Sequence, residues 1–138
     1  MIKFIRITET ATVPTRGSDG AAGYDLYADE EVVLSAGDRA YISTGISTEY
    51  ACNIGAKIFS RSGLSLRGID IGAGLIDSDY RGEVKPLLIN NGDCALFIER
   101  GDRIAQITFS PVLTCAIEWT GPASETERGA NGFGSTGK

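Results

Sequence analysis

The densest concentration of reactive groups in the chain is Gly74-Leu75-Ile76-Asp77-Ser78-Asp79-Tyr80-Arg81-Gly82-Glu83. An apolar run delivers two aspartates two residues apart, then an aromatic and an arginine. On a strand the two carboxylates share a face; at a turn they diverge. The sequence contains no histidine. That removes Ser-His-Asp and Cys-His catalysis, the zinc-protease helix and any His-ligated metal site. Base chemistry then falls to Asp, Glu, Lys, Tyr or Cys, and a carboxylate at a strand end is the natural candidate. The same string also reads as a polar turn carrying a solvated aspartate pair.

Three further strings carry anion chemistry. Ser60-Arg61-Ser62-Gly63-Leu64 gathers a guanidinium, hydroxyls and glycine amides in one turn, which suits a phosphate. In Gly101-Asp102-Arg103-Ile104-Ala105-Gln106 the charged pair reads as a local salt-bridged turn, with Gln106 free to donate to a ligand. Gly132-Phe133-Gly134-Ser135-Thr136-Gly137-Lys138 fits the opening of a Walker A loop, but no strand precedes it, so a P-loop fold is not expected. Its glycine amides and the Ser135 and Thr136 hydroxyls still permit phosphate contact. The glycines from Gly68 to Gly74 do not form a dinucleotide fingerprint, because no helix follows them.

Such residues need a scaffold, and the periodicity is that of strands. Ile2 to Ile7, Arg39 to Ser43 and Ile54 to Phe59 alternate apolar and polar residues. Val84 to Asn90, Ala95 to Ile98, Ile104 to Phe109 and Leu113 to Ile117 add short apolar runs, separated by Gly37-Asp38, Asn90 to Asp93 and Arg100 to Asp102. The pattern predicts an all-β sandwich, jelly roll or barrel, with one or two helical turns near Ser62 to Arg67. Pro86 within its run suggests a bulge or an edge. Eighteen glycines in 138 residues agree with dense turns, and the length suits one domain. Residues 1–119 are read as that domain. Residues 120–138, nearly devoid of apolar side chains, are read as a C-terminal arm whose lone aromatic, Phe133, docks on something.

A net charge of −5 argues against a nucleic-acid binder. No apolar run reaches membrane-spanning length, and MIKFIRITET lacks the pattern of a signal peptide, so a soluble cytoplasmic or nuclear protein is expected. Cys52, Cys94 and Cys115 are widely spaced and read as buried small hydrophobes in a reducing compartment.

Five strings in order, AAGYDLYA at 21–28, RSGLS at 61–65, GLIDSDYRGE at 74–83, GDRIAQI at 101–107 and RGANGFGSTG at 128–137, give the chain its likeness. It resembles the trimeric deoxyuridine triphosphate nucleotidohydrolases (dUTPases) over nearly its whole length. The resemblance implies a homotrimer of distorted jelly-roll subunits with shared active sites, hydrolysing dUTP to dUMP and pyrophosphate with Mg²⁺. It implies that Asp77 is the base for water attack on the α-phosphorus and that the Tyr80 ring lies beneath the deoxyribose. Backbone of the hairpin around Ile69 to Gly74 reads uracil, so Gly72, Gly74, Leu75 and Ile76 are implied contacts. Arg61, Ser62, Gly63 and Gln106 are implied at the phosphates, and Asp25 near the water shell of the metal. In the arm, Phe133 is implied to stack on uracil while Arg128, Gly134, Ser135 and Thr136 close over the phosphates. Ser60, Phe59, Cys52-Asn53 and Pro86 depart from the family pattern without removing a matched functional side chain. Rival readings are a dCTP deaminase relative and a decayed nucleotide-binding jelly roll.

Overall fold

The computed structural model describes residues 1–131. Strands β1 (Lys3–Arg6), β2 (Tyr24–Tyr27), β3 (Val32–Leu34), β4 (Arg39–Tyr41), β5 (Ile46–Glu49) and β6 (Ile54–Phe59) precede a single turn of helix, α1 (Ser62–Ser65). Strands β7 (Ile69–Gly72), β8 (Leu75–Ile76), β9 (Leu87–Asn90), β10 (Leu96–Ile98) and β11 (Arg103–Pro111) follow. The fold is all-β, as the spacing of the apolar runs predicts.

Every pairing is antiparallel. One four-stranded sheet runs β2-β11-β6-β8 and a three-stranded one runs β4-β9-β7, with the ribbons β1-β5 and β3-β10 set against them. The core divides accordingly. Leu26, Ile46, Tyr50, Ala56, Ile58, Ile76 and Ile107 pack between the β1-β5 ribbon and the four-stranded sheet. Leu34, Ile42, Ile69, Leu88, Leu96 and Ile98 pack between the β3-β10 ribbon and the other sheet, and Ile71 touches both clusters. Strand alternation sends these side chains inward, and their burial is the main force holding the layers together.

Three expectations need correction. Leu113 to Ile117 is not a strand: β11 ends at Pro111, and Leu113 (88 % exposed), Ile117 (98 %) and Trp119 (102 %) meet no layer of this chain. Alternation marks a residue run able to pair, but no strand among the described residues lies beside it. Pro86 forms neither bulge nor edge. It lies just before β9, buried, and its carbonyl accepts the Ile42 N–H at 3.0 Å. Cys52, Cys94 and Cys115 are all exposed rather than buried, because each sits in a loop or in the segment beyond β11.

Candidate active site

The hairpin β7–β8 joins the two sheets, since β7 pairs with β9 in one and β8 with β6 in the other. Its tip is Gly72-Ala73-Gly74, and Ala73 takes a left-handed φ of 46°. Gly74 is required by close approach: a β-carbon there would lie 2.7 Å from the Ile58 carbonyl oxygen, while the Ile58 N–H donates to the Gly74 carbonyl at 2.7 Å. The hairpin is therefore locked onto β6. Three residues after Gly74 the chain reaches Asp77.

At Asp77 the strand gives way to a turn, closed by the Tyr80 N–H donating to the Asp77 carbonyl at 3.1 Å. Arg81 caps the turn by donating to the Ser78 and Tyr80 carbonyls at 2.7 and 3.0 Å. The turn separates the two aspartates. Asp77 lines a cavity of about 610 Å³ together with Tyr41, Ala73, Leu75, Ile76, Tyr80, Glu83 and Lys85, and Asp79 does not. A cavity of that size suits a small-molecule ligand.

Tyr80 is half-exposed and folds back over Gly82, its hydroxyl donating to the Glu83 carbonyl at 3.0 Å. A β-carbon on Gly82 would stand 2.6 Å from Tyr80 Cζ, so only glycine lets the ring lie there. The Glu83 carboxylate accepts from the Ser43 hydroxyl and from the Thr44 and Gly45 amides, the latter two at 3.0 and 2.8 Å, and pairs with Lys85 Nζ at 3.0 Å. Burial pushes the Glu83 carboxyl up, but the Ser43, Gly45 and Lys85 contacts outweigh it and hold the group below the ordinary glutamate value. The same pair raises Lys85.

A second cavity, of about 490 Å³, is lined by Gly17, Asp25, Arg61, Ser62, Gly63, Leu64, Arg67, Arg103 and Gln106. Asp25 ties its arginines together: Arg61 Nε lies 3.2 Å from Oδ1 and Arg103 Nη1 lies 3.3 Å from Oδ2. Arg61 also donates to the Arg103 carbonyl at 3.1 Å. Gln106 Nε2 donates to the Ser60 carbonyl at 2.9 Å, holding the chain as it leaves β6 for Arg61. Three guanidiniums against one carboxylate leave a positive cradle suited to an anion. Arg103 does not form the local pair that the sequence suggests. It reaches across to Asp25, while Asp102 accepts the Glu99 N–H at 2.9 Å.

The fold thus unites Asp77, Tyr80, Leu75 and Ile76, with Gly72 and Gly74 flanking the hairpin tip. It separately unites Arg61, Ser62, Gly63, Gln106 and Asp25. It does not unite the two groups. In antiparallel register Ile76 faces Ala56, so Asp77 runs toward Gly55, whereas Arg61 lies beyond Phe59 at the other end of β6. Along the strand that separation is about 20 Å. Arg128 lies in the exposed segment and lines neither cavity. Phe133, Gly134, Ser135 and Thr136 fall outside the described residues. Sequence reasoning missed Tyr41, Lys85, Arg67 and Arg103 as cavity residues, since each looks like an ordinary surface side chain until the register is known.

A dUTPase family profile matches residues 9–137. The chain belongs to the dUTPase family. Its deoxyuridine 5'-triphosphate nucleotidohydrolase relative from cowpox virus (strain GRI-90 / Grishak) is 46 % identical over 136 residues, which is 99 % of this chain and 92 % of that protein. The vaccinia virus (strain Copenhagen) enzyme of the same name gives the same identity and coverage. Among solved dUTPases, that of Staphylococcus bacteriophage 80alpha with dUpNHpp superposes with a TM-score of 0.93 at 27 % identity, covering 100 % of this chain and 99 % of that one. The described residues therefore share the dUTPase fold.

Proposed function

We propose that this dUTPase-family chain hydrolyses dUTP to dUMP and pyrophosphate, with Asp77 activating the water that attacks the α-phosphorus. One observation carries the reading: Asp77 and Tyr80 are the two ends of a single hydrogen-bonded turn and face one cavity. A sugar lying on the Tyr80 ring would place its 5′ substituent beside the carboxylate. In a histidine-free chain that carboxylate is the group able to take the proton. Contact with the ring leaves no space for a 2′-hydroxyl. Uracil would be read by the backbone of Gly72, Ala73, Gly74, Leu75 and Ile76, where fixed donors and acceptors leave cytosine with unpaired groups. The Gly74 and Ala73 constraints keep those groups in place.

Arg61, Ser62, Gly63 and Gln106 would hold phosphate oxygens. The donor set also fits Mg²⁺ arriving on the triphosphate. Among the described residues no group of three or more Cys, Asp or Glu stands together to cage an ion. Magnesium that keeps its waters and binds chiefly through substrate phosphates needs no such cage. Asp25 would meet that water shell while holding Arg61 and Arg103. Bound there, the ion would neutralise phosphate charge.

The active site would be shared within a homotrimer. Support comes from the two cavities lying at opposite ends of β6, so that in a shared site the cradle facing Asp77 would belong to another copy. The exposed apolar segment Leu113 to Trp119 supports the same assembly, because a second copy would cover it. Residues 1–119 would form the catalytic domain. Residues 120–138 would be the arm that closes over bound nucleotide, bringing Arg128 and Phe133 to Thr136 with it. No helix among the described residues is long and apolar enough to cross a membrane. Three exposed unpaired thiols suit a reducing compartment, cytoplasm or nucleus, and the negative charge disfavours nucleic acid.

The test is pyrophosphate release from dUTP, dCTP, dTTP and UTP, with and without Mg²⁺, in wild type and in Asp77→Asn. Fast Mg²⁺-dependent release from dUTP alone is expected, with the variant slower by about 10³-fold at unchanged nucleotide affinity. Ammonia release from dCTP would move the chain to the deaminase branch, and full turnover by Asp77→Asn would remove the carboxylate from its role.

A further inference from the structure

Tyr50, the residue after β5, is nearly buried and belongs to none of the five motifs. Its ring meets that of Phe109 in β11 edge-on, with centroids 5.2 Å apart and planes at 75°. Phe109 in turn packs against Phe4 and Tyr24, which also meet each other, so the Tyr50 ring stands at the edge of a cluster of four aromatics. Its hydroxyl is the polar end of that ring. It points at the end of β8, donating to the Ile76 carbonyl at 2.8 Å and the Asp77 carbonyl at 3.1 Å. The hydrogen is shared between two consecutive carbonyls, which pins the peptide plane between Ile76 and Asp77 as well as the one that follows it.

We propose that Tyr50 is a positioning residue for hydrolysis, its hydroxyl fixing the backbone at Asp77 so that the carboxylate is aimed into the cavity. The proposal rests on the reading of Asp77 as the base. The Asp77 carbonyl is held on two sides, by Tyr50 from within the core and by the Tyr80 N–H across the turn. The carboxylate itself is exposed and has no side-chain partner among the described hydrogen bonds. The backbone therefore sets the Cα–Cβ direction from which that carboxylate reaches the cavity, with no side-chain contact to correct it. Misplacement of a reacting group by about 1 Å can cost about 10²-fold in rate, so a hold on that backbone bears directly on turnover. Burial pushes the Tyr50 hydroxyl above the ordinary tyrosine value, which keeps it a donor throughout the neutral range.

The variant that tests this is Tyr50→Phe, which removes one oxygen and keeps the ring in its seat against Phe109. In steady-state hydrolysis of dUTP, kcat is expected to fall about tenfold while KM stays within about twofold. By hydrogen–deuterium exchange, the amides from Ser78 to Tyr80 are expected to exchange faster, with β6 and β11 unchanged. A merely structural role would lower the melting temperature and leave kcat at room temperature alone. Phe109→Leu, which loosens the ring but spares the hydroxyl, is expected to show the same two effects in smaller measure. Wild-type kcat together with wild-type protection at the turn, in either variant, would overturn the proposal. Should Asp77→Asn keep its turnover, the base reading fails on its own account. The exchange measurement then still decides whether Tyr50 holds the turn.

Discussion

The cavity around Asp77 is walled by the hairpin, two tyrosine rings and one paired Glu83–Lys85 couple, whereas the cradle around Asp25 gathers three arginines about a single carboxylate. Glycines at 72, 74 and 82 let the first close to contact distance, and hydrogen bonds to carbonyls hold its turn from several directions. The second depends on one carboxylate tethering two guanidiniums across partly exposed ground. The difference follows from the work each must do. Discriminating a base or a missing hydroxyl needs donors and walls that do not yield. Neutralising phosphates needs charge in roughly the right place, which flexible side chains supply.

That contrast can be broken from either side. After Asp77→Asn, the largest effect is expected from Asp25→Ala, which releases Arg61 and Arg103 together. kcat/KM for dUTP should drop about 10²-fold, with the preference for dUTP over UTP intact. Lost selectivity there would mean that the cradle also reads the sugar. Next comes Gly82→Ala, whose β-carbon displaces the Tyr80 ring. Selectivity against UTP should fall about tenfold while binding of inorganic pyrophosphate is untouched. If competition assays find UTP still excluded, Tyr80 is not the wall beneath the sugar.

The smallest effect concerns Glu83, the charged strut between the cavity and the Ser43-Thr44-Gly45 corner. Its carboxyl lies below the ordinary value of 4.5 in the folded protein. The stability it adds is thus fully present above 4.5 and lost as pH falls through the lower folded value. Glu83→Gln should cost about 1–2 kcal/mol at neutral pH. Melting curves of variant and wild type should converge as the solution is acidified below 4.5. A gap that persists in acid would assign the loss to packing instead of charge.

The all-β class was legible because apolar runs and turn residues recur at strand spacing, and the run Ile54 to Phe59 matched β6 at both ends even though Gly55 and Ala56 are both buried. β5 was not, since Ser47 and Thr48 are buried despite their polarity and blur the alternation. The run at Leu113 to Ile117 misled for the opposite reason: it has the pattern of a strand and no partner strand among the described residues. At the site, the Asp77/Asp79 pair marked a turn that does border a cavity, but which carboxylate faces that cavity depends on the Tyr80 N–H closing the turn. Tyr50 carried no local signal. Its partners lie 26 and 27 residues downstream, and only the fold brings them to its hydroxyl.

Trp119 is the only tryptophan in the chain, and it stands fully exposed on the segment that leaves the last strand. The intrinsic indole emission of the protein is consequently the emission of that one segment, unmixed with signal from the core. Its wavelength is a built-in optical gauge of whether water or another copy surrounds the segment, readable by dilution without a label.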